Sequence, residues 1–296
     1  MCITVFYRIS SQKEIILLSG YTHLREATQN YIEGCQKKIK LPERKTFIKA
    51  IMAGAMIAFG AAISSVAAHN ITDVGIARLA AAVVFPVGLM MVILFNAELF
   101  TGDCLVAMSI FDRKIRIVSC VRLLATAYIG NFIGAIMIAA LILFCGQLDY
   151  SSGLLGAYTI KIAVSKVNLS FVEAFTSGIL CNILVCAAVL MAACAKDVTG
   201  KLLVCFFVIM LFVTGGFEHC VANMYYITAG LFAMAKPEYV KVAMDTYSFS
   251  ADYLSTLNIG SFFLKNLLPV TLGNIIGGSV LVGIPVFYLN KDRKKS

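Results

Sequence analysis

The chain has 296 residues; 60% are apolar and only 14% are Asp, Glu, Lys or Arg, about half the charged share of an ordinary soluble domain. So little polar surface cannot cover a core of that size, which excludes a soluble enzyme, a disordered protein and a nucleic-acid binder. The formal charge of +9 lies in short runs beside apolar blocks and is a topology signal.

Residues 1–20 do not form a signal peptide, because Arg8, Lys13 and Glu14 interrupt their apolar runs and no small-residue cleavage site follows. Residues 22–40 form an amphipathic surface helix, with Leu24, Ala27, Tyr31, Cys35 and Ile39 near one face. Lys37, Lys38 and Lys40 suit an anionic inner leaflet. Six apolar blocks follow, near 48–68, 79–111, 118–145, 171–195, 202–234 and 260–289. A hydrocarbon core about 30 Å thick takes roughly 20 residues per helix, so each block is a span. The second and fifth are too long and too interrupted for one straight helix. Asn96, Glu98, Thr101, Gly102 and Asp103 break the second; Thr214, Gly215, Gly216, Glu218, His219 and Asn223 break the fifth. Each is expected to be two half-helices joined by irregular chain that lines a cavity. Residues 1–45 are then a cytoplasmic extension with its surface helix, 46–290 the six-span unit, and 291–296 a basic cytoplasmic tail. With both termini inside, inner segments hold nineteen of the 25 Lys and Arg, as positive-inside topology requires. The ten cysteines are scattered, mostly within apolar runs, and read as buried thiols.

The blocks repeat. Gly-Asn-x-Ile-Gly occurs at 130–134 and at 273–277. Asn96-Ala-Glu-Leu99 corresponds to Gly216-Phe-Glu-His219, and Ala-x-x-small-Gly ends at Gly54 and at Gly178. Three matches in the same order give two three-span repeats, and an odd number of spans inverts the second copy. Inverted repeats with matching broken helices are a plan of transport proteins, and the breaks mark the pathway. Gly-x-x-x-Gly itself is helix packing, and Asn131 and Asn274 inside it are read as structural support.

Ionisable groups at membrane depth are costly and point to function. His219 lies in the fifth-block break, beside Glu218 and four residues before Asn223. An imidazole there can carry or give a proton, and half-helix N-termini favour anions. Glu98 and Glu218 are equivalent in the repeat. Bare carboxylates would repel an anion, so they are expected to face backbone N–H groups and hold the broken loops in shape. Thr101 offers a hydroxyl to substrate or to His219. Lys166 precedes the fourth span on the outer side and can draw anions into a vestibule. Phe85, Leu89, Leu99 and Phe212 flank the breaks and are candidate apolar constrictions.

Asn96-Ala-Glu-Leu-Phe-Thr-Gly102 and Gly215-Gly-Phe-Glu-His-Cys-Val-Ala-Asn-Met-Tyr225 resemble two signature stretches of the formate/nitrite transporter family. Lys166-Val-Asn-Leu-Ser-Phe-Val-Glu173 and Asn266-Leu-Leu-Pro-Val-Thr-Leu-Gly-Asn-Ile-Ile-Gly-Gly278 are similar to two more. The resemblance spans about residues 22–290. It implies an all-α, aquaporin-like membrane protein assembled as a homopentamer, with a pore in each protomer. It also implies a central histidine at His219 with a threonine partner at Thr101, Glu218 and Asn223 around it, and a vestibule lysine at Lys166. Phe85, Leu89, Leu99 and Phe212 fall at the constrictions. The implied substrates are small monovalent weak-acid anions, formate foremost, with nitrite, hydrosulfide, acetate or lactate as alternatives. Transport is expected to be passive or proton-coupled, with His219 as proton donor or relay. Asn168-Leu169 stands where formate channels carry a more polar pair, and Cys220 where serine or an aliphatic residue is usual. The expected setting is a plasma membrane, a bacterial inner membrane first, with lipid and identical subunits as partners. No cofactor, metal, nucleic acid or enzymatic activity is expected. A water or glycerol channel would carry paired Asn-Pro-Ala boxes, which are absent, and an intramembrane enzyme would need a nucleophile or metal motif that the sequence lacks.

Overall fold

The structure, a computed structural model, describes residues 20–291. The expectations for residues 1–19 and for the tail after Lys291 lie outside them. The described residues are all-helical apart from one isolated bridge, Tyr21 to Ala195.

Helix α1 (Leu24–Ile39) is the amphipathic segment. The first repeat comprises α2 (Glu43–Ala68), the half-helices α3 (Val74–Leu94) and α4 (Phe100–Phe111), and α5 (Ile117–Phe144). Helix α6 (Leu154–Val167) connects it to the second repeat. That repeat comprises α7 (Phe171–Cys194), the half-helices α8 (Val198–Gly215) and α9 (Cys220–Met234), a connecting helix α10 (Pro237–Tyr247), and α11 (Ile259–Asn290). Among the described residues six helices are long and apolar enough to cross a membrane, in agreement with the six blocks. Helices α6 and α10 fall outside the six apolar blocks. They are short and flank the spans, where hydropathy does not single them out.

The two breaks are built alike. In the first, Asn96 takes a left-handed backbone (φ 49°) and Leu99 an extended one that starts α4. In the second, Gly216 is left-handed (φ 69°) and His219 extended at the start of α9. Each later position is 120 residues on from its counterpart. The breaks are tighter than expected: Thr101, Gly102 and Asp103 already belong to α4, and Thr214 and Gly215 to α8.

One asparagine staples each break. Asn131 accepts from the N–H of Phe100 and donates to the carbonyls of Ala50 and Glu98. Asn274 accepts from the N–H of Cys220 and donates to those of Gly178 and Glu218. Both are fully buried. The staples sit at helix crossings without side chains. A Cβ on Gly134 would strike the Ile51 carbonyl of α2, and one on Gly277 the Ile179 carbonyl of α7. Helix α11 widens into π-helical turns over Phe262–Leu267 and Ile276–Gly283, a form often found at functional sites. The first carries Asn266.

Candidate functional site

The breaks meet at buried His219. As the residue that starts α9, its Nδ1 accepts from the N–H of Ala222 at 3.0 Å. Its Nε2 is 2.9 Å from the hydroxyl of Thr101, in the first turn of α4. An N–H donor aimed at Nδ1 requires a lone pair there, so the hydrogen-bond network assigns the ring hydrogen to Nε2. The imidazole is thus held neutral, its N–H toward Thr101. A second ring proton would sit on Nδ1 and break the α9 cap.

Apolar side chains lie on both sides of this pair. On one, Phe85 and Phe212 meet edge to face with centroids 5.5 Å apart, and Phe212 is 6.0 Å from the His219 ring. Phe85 stands where Pro86 interrupts α3, since proline has no N–H to continue the helix ladder. On the other, Leu89 and Leu99 are both buried. A cavity opens beyond each. The larger, about 390 Å³, runs from Thr72 and Arg78 past Lys161 and Lys166 to Phe85, Phe212 and His219. The second, about 300 Å³, is lined by Tyr31, Lys38, Asn96 and Asp103 and ends at Leu89 and Leu99.

Both glutamates face lysines rather than the backbone N–H groups expected of them. Glu218 Oε1 takes Lys166 Nζ at 2.7 Å, while its Oε2 accepts from Asn223 at 2.6 Å. Asn223 Nδ2 also donates to Asn266, which in turn bonds the Lys166 carbonyl. Asn223 Oδ1 is buried without a partner at the wall of the larger cavity. Glu98 takes Lys38 at 2.7 Å, with Lys49 at 3.7 Å. The backbone N–H groups of the breaks go to Asn131, Asn274 and, for Glu218, to Ser177. The physical reason is charge: a carboxylate buried in a span needs a counter-ion more than a neutral donor.

Lys38 is a second correction. It turns inward from α1 to Glu98 and Asp103, each at 2.7 Å, and so is not a lipid-facing cation. Burial alone would lower its affinity for a proton; the carboxylates of Asp103 and Glu98 outweigh that and hold it above the usual lysine range.

The structure therefore brings His219, Thr101, Glu218, Asn223 and Lys166 together, with Phe85 and Phe212 beside them and Leu89 and Leu99 on the far side. Asn131 and Asn274 support the two loops, and Glu98 is paired with Lys38 of α1. Sequence reasoning missed Asn266, Lys38 and Arg78. No cluster of His, Cys, Asp or Glu among the described residues could hold a metal ion, and the nine described cysteines are free.

Residues 25–288 match the family model described as formate/nitrite transporter. The chain is 37% identical over 251 residues to the formate channel FocA of Haemophilus influenzae, covering 83% of this chain and 87% of that one. It is 34% identical over 269 residues to a probable formate transporter of Methanothermobacter thermautotrophicus, covering 85% and 90%. Among solved structures it resembles a pentameric formate channel with formate bound, at TM-score 0.74 and 32% identity over 83% of this chain and 97% of that one.

Proposed function

Because this chain belongs to the formate/nitrite transporter family, we propose that it is a membrane channel for small weak-acid anions, formate first, passing them passively or with a proton. Nitrite, hydrosulfide, acetate and lactate are the alternatives within that class. The observation that carries the reading is the buried His219–Thr101 pair, flanked by apolar side chains, with a cavity on either side.

The barrier is electrostatic. Moving a carboxylate-sized anion into a low-dielectric medium has an idealised cost on the order of 20 kcal/mol, and protonation removes most of it. The larger cavity is the outer vestibule in this reading. Its cations outnumber its carboxylates, which concentrates anions. Desolvation at Phe85 and Phe212 raises the anion's affinity for a proton. The Nε2–H and the Thr101 hydroxyl offer hydrogen bonds at the narrow point, and the unpartnered Asn223 Oδ1 offers an acceptor for the O–H of the neutral acid. This geometry favours His219 as a neutral donor or relay over a stored imidazolium charge, because imidazolium formation opens the Ala222 bond. Nothing in this pathway calls for a cofactor or an enzymatic step. The pentameric assembly of its solved relative supports a homopentamer of such pores, and the excess of Lys and Arg on the inner segments supports a plasma-membrane setting with both termini inside.

The test is uptake of formate, nitrite, hydrosulfide and lactate into proteoliposomes across a pH series, with His219→Ala as comparison. Well above the substrate's own pKa, uptake is expected to rise by up to about tenfold per pH unit lowered, following the neutral fraction. In His219→Ala the flux falls and flattens with pH. Uptake that ignores pH in the wild type refutes passage as the neutral acid.

A further inference from the structure

Three cations line the larger cavity, and two are held by a carboxylate or a ring face. Lys166 is held by Glu218. Lys161 lies over the Tyr247 ring, 4.6 Å from its centroid. Arg78 lines the same cavity and is exposed in it. Among the described residues no carboxylate comes within 4.0 Å of its guanidinium. Arg78 precedes Phe85 by seven residues on α3, two helical turns, so the two share a face about 10 Å apart along the axis. Its guanidinium rests on Gly216, where a Cβ would stand 3.3 Å from Nη1 and 3.5 Å from Cζ. The backbone there is left-handed, which favours glycine, and the chain continues directly into Glu218 and His219. The fork is thus seated on bare backbone at the break, facing the space that leads to the constriction.

A guanidinium offers parallel N–H donors that match two oxygens of a planar anion; an ammonium offers only a point charge. Formate and other carboxylates present two such oxygens, and so does nitrite. Hydrosulfide presents one sulfur. We propose that Arg78 is a second anion-recognition point of the channel, docking planar two-oxygen anions ahead of the Phe85–Phe212 constriction and favouring them over hydrosulfide. This rests on the channel reading above and gives it a substrate class. Because Arg78 is exposed, the preference is a few-fold, not orders of magnitude.

The experiment compares wild type, Arg78→Lys and Arg78→Gln in proteoliposomes at low anion concentration, where capture limits flux, after subtracting uptake into protein-free vesicles. Arg78→Lys keeps the charge and removes the fork. It is expected to lower the formate-to-hydrosulfide uptake ratio about 3- to 5-fold, with nitrite falling alongside formate and hydrosulfide unchanged. The unchanged hydrosulfide flux also reports an intact fold. Arg78→Gln is expected to lower all three. If Arg78→Lys leaves the ratio unchanged, or lowers formate and hydrosulfide equally, the docking role is overturned while the channel reading stands. A wild type that passes none of these anions overturns both.

Discussion

At the scale of single residues, buried polar side chains are used to satisfy backbone that has left its helix. Asn131 meets two such groups, from Phe100 and Glu98, and also the Ala50 carbonyl within α2. Asn131→Leu keeps the branched shape and strands the two at the break, each at about 1–3 kcal/mol if left unsatisfied. We expect thermal unfolding in detergent to show a clearly lowered midpoint, and a comparable loss for Asn274→Leu. If Asn131→Leu melts with the wild type, the staple is dispensable. His219, Thr101 and Glu218 were legible in the sequence because charge and hydroxyl stand out in an apolar block. Lys38 was not: in a run with Lys37 and Lys40, nothing local says which ammonium turns inward. Only the position of α1 over Glu98 and Asp103 decides it, and that is a long-range fact. Asn266 was hidden likewise, since its partners Asn223 and the Lys166 carbonyl lie 43 and 100 residues away.

At the scale of elements, close helix crossing is the recurring device. Gly134 and Gly277 leave no space for a side chain against α2 and α7. Gly134→Val is expected to abolish the assembled peak on size exclusion, because backbone cannot yield as a side-chain tip can. Gly34 on α1 has nothing within 4 Å of its added Cβ. Gly34→Ala should raise helix stability by up to about 1 kcal/mol, seen as slower amide exchange in α1. The same helix is held down by Lys38. Lys38→Met leaves Glu98 and Asp103 facing each other without it, so α1 is expected to become sensitive to limited proteolysis while α2 to α11 stay resistant. Protection equal to wild type would mean that Tyr31, Cys35 and Ile32 dock α1 unaided. The half-helices could be read in advance from polar residues inside apolar blocks. Helices α6 and α10 could not, for α10 is held by contacts such as Tyr239 against Gly156 and the Asp149 carboxylate, and those carry no periodic signature.

At the scale of the whole molecule, lipid-length helices leave many large apolar side chains exposed on one protomer, among them Phe144, Val118 and Leu264. Lipid covers such a surface, and so do neighbouring subunits. Chemical cross-linking in membranes is expected to produce a ladder ending at five copies, as in the pentameric formate channel the fold resembles. A ladder that stops at two or three would rule out that assembly. The six spans and the repeat were visible from hydropathy and spacing alone, whereas the oligomer rests on resemblance, since no pattern in one chain counts its copies.

The paired breaks carry one more consequence. Leu99 and His219 occupy the same place in the two copies, with the same extended backbone and the same asparagine beneath. The two breaks are thus related by a two-fold pseudo-symmetry, and its departures at the centre are leucine for imidazole and, at Thr101 and Val221, valine for hydroxyl. On the proposed passive passage, export and import cross the same barrier, and the host's own gradients choose whether the acid leaves the cell or is taken back.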